Sequence, residues 1–422
     1  MDFKRIVLWP KRFFWGISVK SKNFLSPLQV AIFLAFLLGL QPVLTDLFIP
    51  AMPAIRQEFS ASAILVQATM FGVMISFGFG QLFWGALSDR FGRRPVLLWG
   101  LALFVVSGVG GGITQQMEAL LLTRLIQGAA LGASVVCARA MVRDLYEVRD
   151  GAQVLARGLS GLGLFAIASP LFGGFLTDFF GWRANQFAIA FVGLSSFLMV
   201  WWFLPETLHR RNVEATQWSS LWRNYRKILS RSEFLSWSLV AMSTYGGLFL
   251  ILSGGPFIFL QVLEVSATTF GAVIAAGSLS YLLGTLACRR WITRYGLFGT
   301  VRLASWISLS IAVIAVSLGL LQIKSFLLTL CLQMLYGLAH GFHQPCSNAA
   351  APGRFPEMAG TASSLMGMLM AFAAVATGLY LSISLDQGMR GYLWGIAFWG
   401  FFLVIAVRMV LPRVVLTDEK VQ

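Results

Sequence analysis

Charge is what this 422-residue sequence has little of. Only 12% of its residues are Asp, Glu, Lys or Arg, about half the fraction usual in a soluble domain. That scarcity excludes a water-soluble globule, and 57% hydrophobic residues with a mean hydropathy of +0.76 leave the lipid bilayer as the solvent. Acidic residues are scarcer still, 17 against 32 Lys and Arg. The resulting +15 forms no basic face. It lies in loops between apolar runs, which reads as topology signals and anionic-lipid contacts rather than nucleic-acid binding. Cysteine is limited to Cys137, Cys288, Cys331 and Cys346, all inside apolar runs and without metal-ligand spacing. They read as small buried hydrophobes with no disulfide framework. The sequence also lacks a Gly-x-x-x-x-Gly-Lys-Ser/Thr loop, a soluble stretch long enough to hold a nucleotide, and a nucleophile–base constellation. Those absences argue against an ATP-driven pump and against a membrane enzyme.

What is present is a series of long apolar runs. A spanning helix takes about 20 residues, whereas a membrane β-strand needs about 10 alternating ones. Twelve runs fit the helical length: 27–54, 63–87, 95–114, 117–142, 154–178, 184–204, 235–262, 268–288, 299–321, 326–350, 359–382 and 391–411. The expected fold is an all-α membrane protein of 12 transmembrane helices in two six-helix bundles. Residues 1–26 form a basic cytoplasmic N-terminal segment and 27–205 the first bundle. A cytoplasmic linker at 206–234 leads to the second bundle at 235–412 and a tail at 413–422. The first run reads as an uncleaved anchor, and the basic, aromatic stretch 3–15 as an amphipathic helix on the inner leaflet.

Basic residues orient the chain. With the N-terminus inside, 27 of the 32 Lys and Arg fall on the inner side and four on the outer, while Arg124 lies within a span. That bias puts both termini in the cytoplasm. The halves also echo each other. Pro50 and Pro256, Gln127 and Gln333, and Leu-Leu-Thr at 121–123 and 327–329 recur at an offset of 206 residues. Arg90-Phe91-Gly92 is repeated as Arg294-Tyr295-Gly296. A parallel repeat of six helices points to a transporter with a site between the halves, near the membrane midplane.

Residues 85–95, Gly-Ala-Leu-Ser-Asp-Arg-Phe-Gly-Arg-Arg-Pro, make a charged hairpin between the second and third runs. The pattern Gly85-x-x-x-Asp89-Arg90-x-Gly92-Arg93-Arg94-Pro95 resembles the signature loop of the major facilitator superfamily. Leu121-x-x-Arg124-x-x-Gln127-Gly128 resembles the fourth-helix motif of its proton-coupled members. Ser169-Pro170-x-x-Gly173-Gly174 is similar to the fifth-helix motif of the drug:proton antiporter branch, with serine where that motif usually begins with glycine. Residues 45–53, Thr-Asp-Leu-Phe-Ile-Pro-Ala-Met-Pro, with Val142-Arg143-Asp144-Leu145-Tyr146, resemble the bicyclomycin, chloramphenicol and florfenicol exporters. The resemblance covers about residues 27–412 and implies the major facilitator fold.

Asp46 and Arg124 are the candidate proton-coupling residues. Asp46 follows about 19 mostly apolar residues, and an intramembrane carboxyl is a candidate proton carrier. On a helix running to Ile55 it lies roughly 13 Å from the helix end; the alternative is simple solvation at the helix mouth. Arg124 enters its span to a similar depth. The resemblance implicates it in proton coupling, and the alternative is a structural bond to backbone carbonyls. Gln127 falls on the same face and is a candidate for the substrate cavity. In the hairpin, Gly85, Asp89, Arg90, Gly92 and Arg93, with Asp144, form a candidate conformational latch. Arg93 is placed to pair with both aspartates, and the resemblance sets Asp89 near the start of the eleventh helix. Positive-inside anchoring is the plainer reading. Pro170, Gly173 and Gly174 suggest a hinge in the fifth helix, or tight static packing.

His340, Gln344 and Asn348 fall four apart on the tenth run, a polar stripe for a cavity or a partner helix, with no spacing for a metal. Tyr245 and Tyr336, like Phe249 and Phe257, are candidates for an apolar pocket. The expected function is proton-coupled export of lipophilic drug-like compounds by alternating access. Uptake or facilitated diffusion of a small metabolite is the alternative. No cofactor beyond the proton gradient is expected. The expected partners are a small-molecule substrate, protons and the lipid bilayer, with no nucleic acid. The chain is expected to act as a monomer in a bacterial-type inner membrane.

Overall fold

A computed structural model describes residues 25–146, 148–208, 225–353, 355 and 359–412. The expected amphipathic helix at 3–15, the tail at 413–422 and most of the linker lie outside the described residues. The regular structure that is described is helical. In chain order the helices are α1 (Pro27–Thr45), α2 (Met52–Glu58), α3 (Ala63–Phe91), α4 (Arg93–Ile113), α5 (Met117–Leu145), α6 (Val148–Phe180) and α7 (Trp182–Phe203). After the linker come α8 (Ser232–Pro256), α9 (Ala267–Leu320), α10 (Phe326–Gly353), α11 (Ala359–Ser384) and α12 (Met389–Ile405). Among the described residues, eleven helical segments are long and apolar enough to cross a membrane. The chain is a multi-pass membrane protein. Large side chains such as Leu164, Phe179, Trp202 and Phe203 point outward and are more than half exposed, which suits a lipid boundary.

One segment counts for two of the expected runs. At 54 residues α9 would be about 81 Å long if straight, far beyond a hydrocarbon core of about 30 Å. Gly296 interrupts it with φ 66° and ψ 180°. That conformation is confined almost entirely to glycine, and it separates the arms 267–295 and 297–320. Gly92, between α3 and α4, takes φ 113° and ψ 160°. The sequence echo at these two places is therefore an echo of backbone shape. It extends to the side chains: Arg90 lies over the Phe91 ring at 5.4 Å and Arg294 over the Tyr295 ring at 5.3 Å.

Two sets of helices pack internally. α3 and α4 both pack on α5, α1 lies on α6, and α4 on α7; in the other set α10, α11 and α12 pack on α8, while α9 packs on α10 and α12. Two seams join the sets, α3 against α11 and α6 against α9. Small residues make the close approaches. A Cβ at Gly80 would meet the backbone of Ala129, and one at Gly284 the backbone of Leu338, the usual device for bringing membrane helices together. Of the cysteines, Cys137, Cys288 and Cys346 are buried as expected. Cys331 is exposed, a correction that follows from its place on the outward face of α10. Cys288 and Cys346 face each other with Sγ atoms 3.6 Å apart.

Candidate functional site

The first span does not run through as one helix. α1 starts with a capping box between Ser26 and Gln29 and stops at Thr45. Downstream, Pro50 and Pro53 have no N–H to continue the ladder. The chain instead turns at Asp46–Phe48 and tightens into a short 3-10 turn at Ile49–Ala51 before α2. Phe48 N–H donates to Thr45 O (3.2 Å) and Ala51 N–H to Phe48 O (3.0 Å). The carbonyls of Leu44 and Leu47 thereby lose their helical donors. Each takes a side chain from another helix, since a buried carbonyl needs a partner. Arg124 Nη2 donates to Leu44 O at 3.0 Å, and Asn185 Nδ2 to Leu47 O at 3.1 Å.

Asp46 sits in this break. Its N–H donates to Pro42 O at 2.7 Å, and its Oδ1 accepts from the Thr45 hydroxyl at 2.7 Å. The 3-10 turn that follows it packs against α8 and α9 of the other half, and from α8 the Tyr245 hydroxyl reaches across to donate to Met74 Sδ at 3.1 Å. Asp46 thus lies at a helix break near the meeting of the two halves, rather than on a continuous helix to Ile55.

Arg124 is fully buried. Besides Leu44 O it donates to Gln127 Oε1 at 3.1 Å, and its guanidinium lies 4.0 Å from the Phe48 ring centroid. Among the described residues no ion pair joins it to Asp46; the backbone-carbonyl bond is the geometry present. Gln127 Nε2 continues the chain to Gln186 Oε1 at 3.2 Å. The Arg124 Nε and Gln186 Nε2 atoms are buried without a partner. Asn185 and Gln186 are site residues that sequence reasoning missed. Two adjacent amides inside the apolar run of α7 were the available signal.

Gly173 and Gly174 on α6 serve close packing. A Cβ on Gly173 would collide with the Leu47 backbone, and one on Gly174 with Ala267 O. Pro170 lies inside a helix that continues to Phe180, so the static-packing reading has direct geometry behind it.

On α10 the polar stripe does not act as one surface. His340 Nδ1 contacts the Thr244 hydroxyl at 2.9 Å, and its ring lies 5.3 Å from that of Tyr281. Tyr336 is buried and donates to Thr244 O at 3.0 Å, which makes it a brace between α8 and α10 rather than a free cavity wall. Gln344 is buried and donates to Asn348 Oδ1 at 3.1 Å, whereas Asn348 is exposed. Phe249 and Phe257 are buried in the core. His343, also on α10, contacts the Ser308 hydroxyl at 3.1 Å. Among the described residues no three His, Cys, Asp or Glu side chains gather as metal ligands.

At the hairpin, Arg93 is nearly buried and gathers three partners. Nη1 donates to Asp89 Oδ1 at 2.5 Å and to Ser88 Oγ at 2.7 Å, and Nε to Asp144 Oδ2 at 2.9 Å. Ser88 Oγ donates in turn to Gly85 O at 2.9 Å. Residues 354 and 356–358, which lead into α11, lie outside the described residues, and with them the expected neighbour of Asp89. A further partner, absent from the sequence reading, is Glu206. Its carboxylate accepts from Arg93 N–H (2.9 Å), Arg94 N–H (3.2 Å), Thr207 N–H (2.9 Å) and Leu208 N–H (2.9 Å). It caps the start of α4, where a negative charge suits the helix dipole. A Cβ at Gly92 would overlap it.

The sequence matches the Major Facilitator Superfamily over residues 34–378. It is 26% identical over 354 residues to a bicyclomycin resistance protein homolog of Haemophilus influenzae, covering 84% of this chain and 89% of that one. It is 28% identical over 325 residues to a chloramphenicol resistance protein of Pseudomonas aeruginosa, covering 76% and 75%. The structure of a D-xylose–proton symporter superposes with a TM-score of 0.70 at 15% identity, over 91% of this chain and 98% of the other, a likeness of fold. Sequence and architecture agree, and the chain belongs to the major facilitator superfamily, whose members are membrane transporters and not enzymes.

Proposed function

We propose that this transporter exports lipophilic drug-like compounds in exchange for protons, by alternating access between two six-helix halves. The observation that carries the reading is Asp46. It is the carboxyl of a broken helix, the 3-10 turn that follows it packs on α8 and α9 of the opposite half, and the same break is held by a buried Arg124. A carboxyl there can pass a proton as the halves rock, because it belongs to one half and the turn beside it packs on the other. The similarity to resistance proteins of two bacteria supports drug-like cargo. Counting the arms of α9 on either side of Gly296 separately brings the spans to twelve, with both termini in the cytoplasm and the chain in a bacterial inner membrane. The exporter works as a monomer and draws on the proton gradient with no cofactor.

A drug-susceptibility panel in an efflux-deficient host tests this reading. Wild type is expected to raise resistance to a subset of lipophilic antibiotics, and Asp46→Asn, present in the membrane at equal level, to lose it. Equal protection by the two would remove Asp46 from the mechanism.

A further inference from the structure

The two halves also meet at the end of the bundle opposite the hairpin, where α6 finishes and α9 begins. The first N–H groups of a helix have no partner within it. At α9 the side chain of Ser266 takes the Thr269 N–H at 3.1 Å. The two N–H groups before it are taken by a residue of the other half. Asp178, two residues before the end of α6, accepts from Ala267 N–H at 3.1 Å through Oδ1. Through Oδ2 it accepts from Thr268 N–H at 2.7 Å and from the Thr268 hydroxyl at 2.6 Å. Three bonds to one carboxylate at the positive end of a helix are charge-assisted.

Beneath them the backbones touch. A Cβ at Gly174 would collide with Ala267 O, and one at Gly271 with Pro170 O. Other links at this end differ in kind. Arg56 lies 3.7 Å from Asp386, whose side chain is 79% exposed, and such a pair contributes little. Gln67 and Ser253 bond reciprocally but carry no charge.

We infer that Asp178 is a detachable helix cap that holds this end of the transporter closed. It rests on the alternating-access reading above. Opening this end requires α6 and α9 to part, and parting breaks all three bonds together. The freed carboxylate and helix start both re-enter water, so the strap is reversible rather than permanent. Asp178 is thus a positioning residue of the transport cycle and touches no cargo.

Spin labels on Gln115 and Lys324, exposed residues at this end in opposite halves, report the opening when introduced into a Cys331→Ser background. No substrate or pH gradient is needed, so the result stands apart from the export assay. In Asp178→Asn the ratio of long to short distances is expected to rise by about tenfold over wild type, the loss of a charge-assisted cap. Asp178→Glu is expected to restore most of the short-distance population. Thr268→Val, which removes one of the three bonds, is expected to raise the ratio by about threefold. An unchanged distance distribution in Asp178→Asn overturns the inference. If that variant is not monodisperse, Thr268→Val decides alone, with a rise supporting the strap and no change overturning it.

Discussion

Arg124 donates to the carbonyl of Leu44, 80 residues earlier in the chain, at 3.0 Å. That carbonyl is free because α1 ends one residue later, and the guanidinium supplies the donor that Phe48 N–H does not. The buried charge is held by a helix end, an amide and an aromatic face, with no carboxylate ion pair among the described residues.

That arrangement needs a forked donor. Lysine keeps the charge but presents a single ammonium, and it cannot span Leu44 O and Gln127 Oε1 in the same geometry. Arg124→Lys is expected to reach the membrane at wild-type level and to lose at least about tenfold in export rate, the effect of roughly 1.4 kcal/mol. Initial rates of drug efflux from loaded cells check it.

The glycines of α6 separate by environment. Gly173→Ala puts a methyl into the Leu47 backbone, and overpacking of this kind costs about 1–3 kcal/mol. Gly163→Ala meets nothing within 4 Å and gains helix propensity of about 1 kcal/mol. In thermal unfolding of the purified protein the first is expected to melt lower than wild type and the second no lower.

Gly92 and Gly296 share a backbone conformation that a side chain resists, a strain of about 1–3 kcal/mol each. A Cβ at Gly296 meets nothing within 4 Å, whereas one at Gly92 collides with the Glu206 carboxylate. Gly92→Ala is therefore expected to destabilise more than Gly296→Ala. Glu206→Ala combined with Gly92→Ala should be less damaging than the sum of the two single changes, as a double-mutant cycle in thermal unfolding would read.

Arg93 and Asp144 form a largely buried charged hydrogen bond. Arg93→Lys and Asp144→Asn are expected to couple by about 1–2 kcal/mol in the same kind of cycle. Additive effects would mean that the Arg93–Asp144 bond contributes nothing to holding the hairpin.

Much of the fold was legible because the membrane imposes it. Apolar runs of spanning length gave the helices, and the Arg-aromatic-Gly echo marked the two places where the backbone turns through a glycine conformation. What stayed hidden involves partners brought together only by packing. Asn185 and Gln186 look like ordinary polar residues until the Leu47 carbonyl and Gln127 are seen beside them. Glu206 reads as the first residue of a polar linker, yet it caps a helix 113 residues away from it at Arg93. The break at Asp46 was readable in part, since Pro42, Pro50 and Pro53 bracket it. Its consequence, two carbonyls each needing a donor from another helix, was not. The α10 stripe left a cavity and a partner helix both open, and packing divides it: His340 meets the Thr244 hydroxyl of α8, while Asn348 is exposed.

Proteoliposomes with an imposed pH gradient, loaded with the compound that the susceptibility panel identifies, test the role of Asp46 most directly. Wild-type protein is expected to drive that compound against its concentration gradient. Asp46→Asn, reconstituted as a monodisperse protein, is expected to show no gradient-driven accumulation. Accumulation by Asp46→Asn at the wild-type rate would contradict the assignment of proton coupling to this carboxyl.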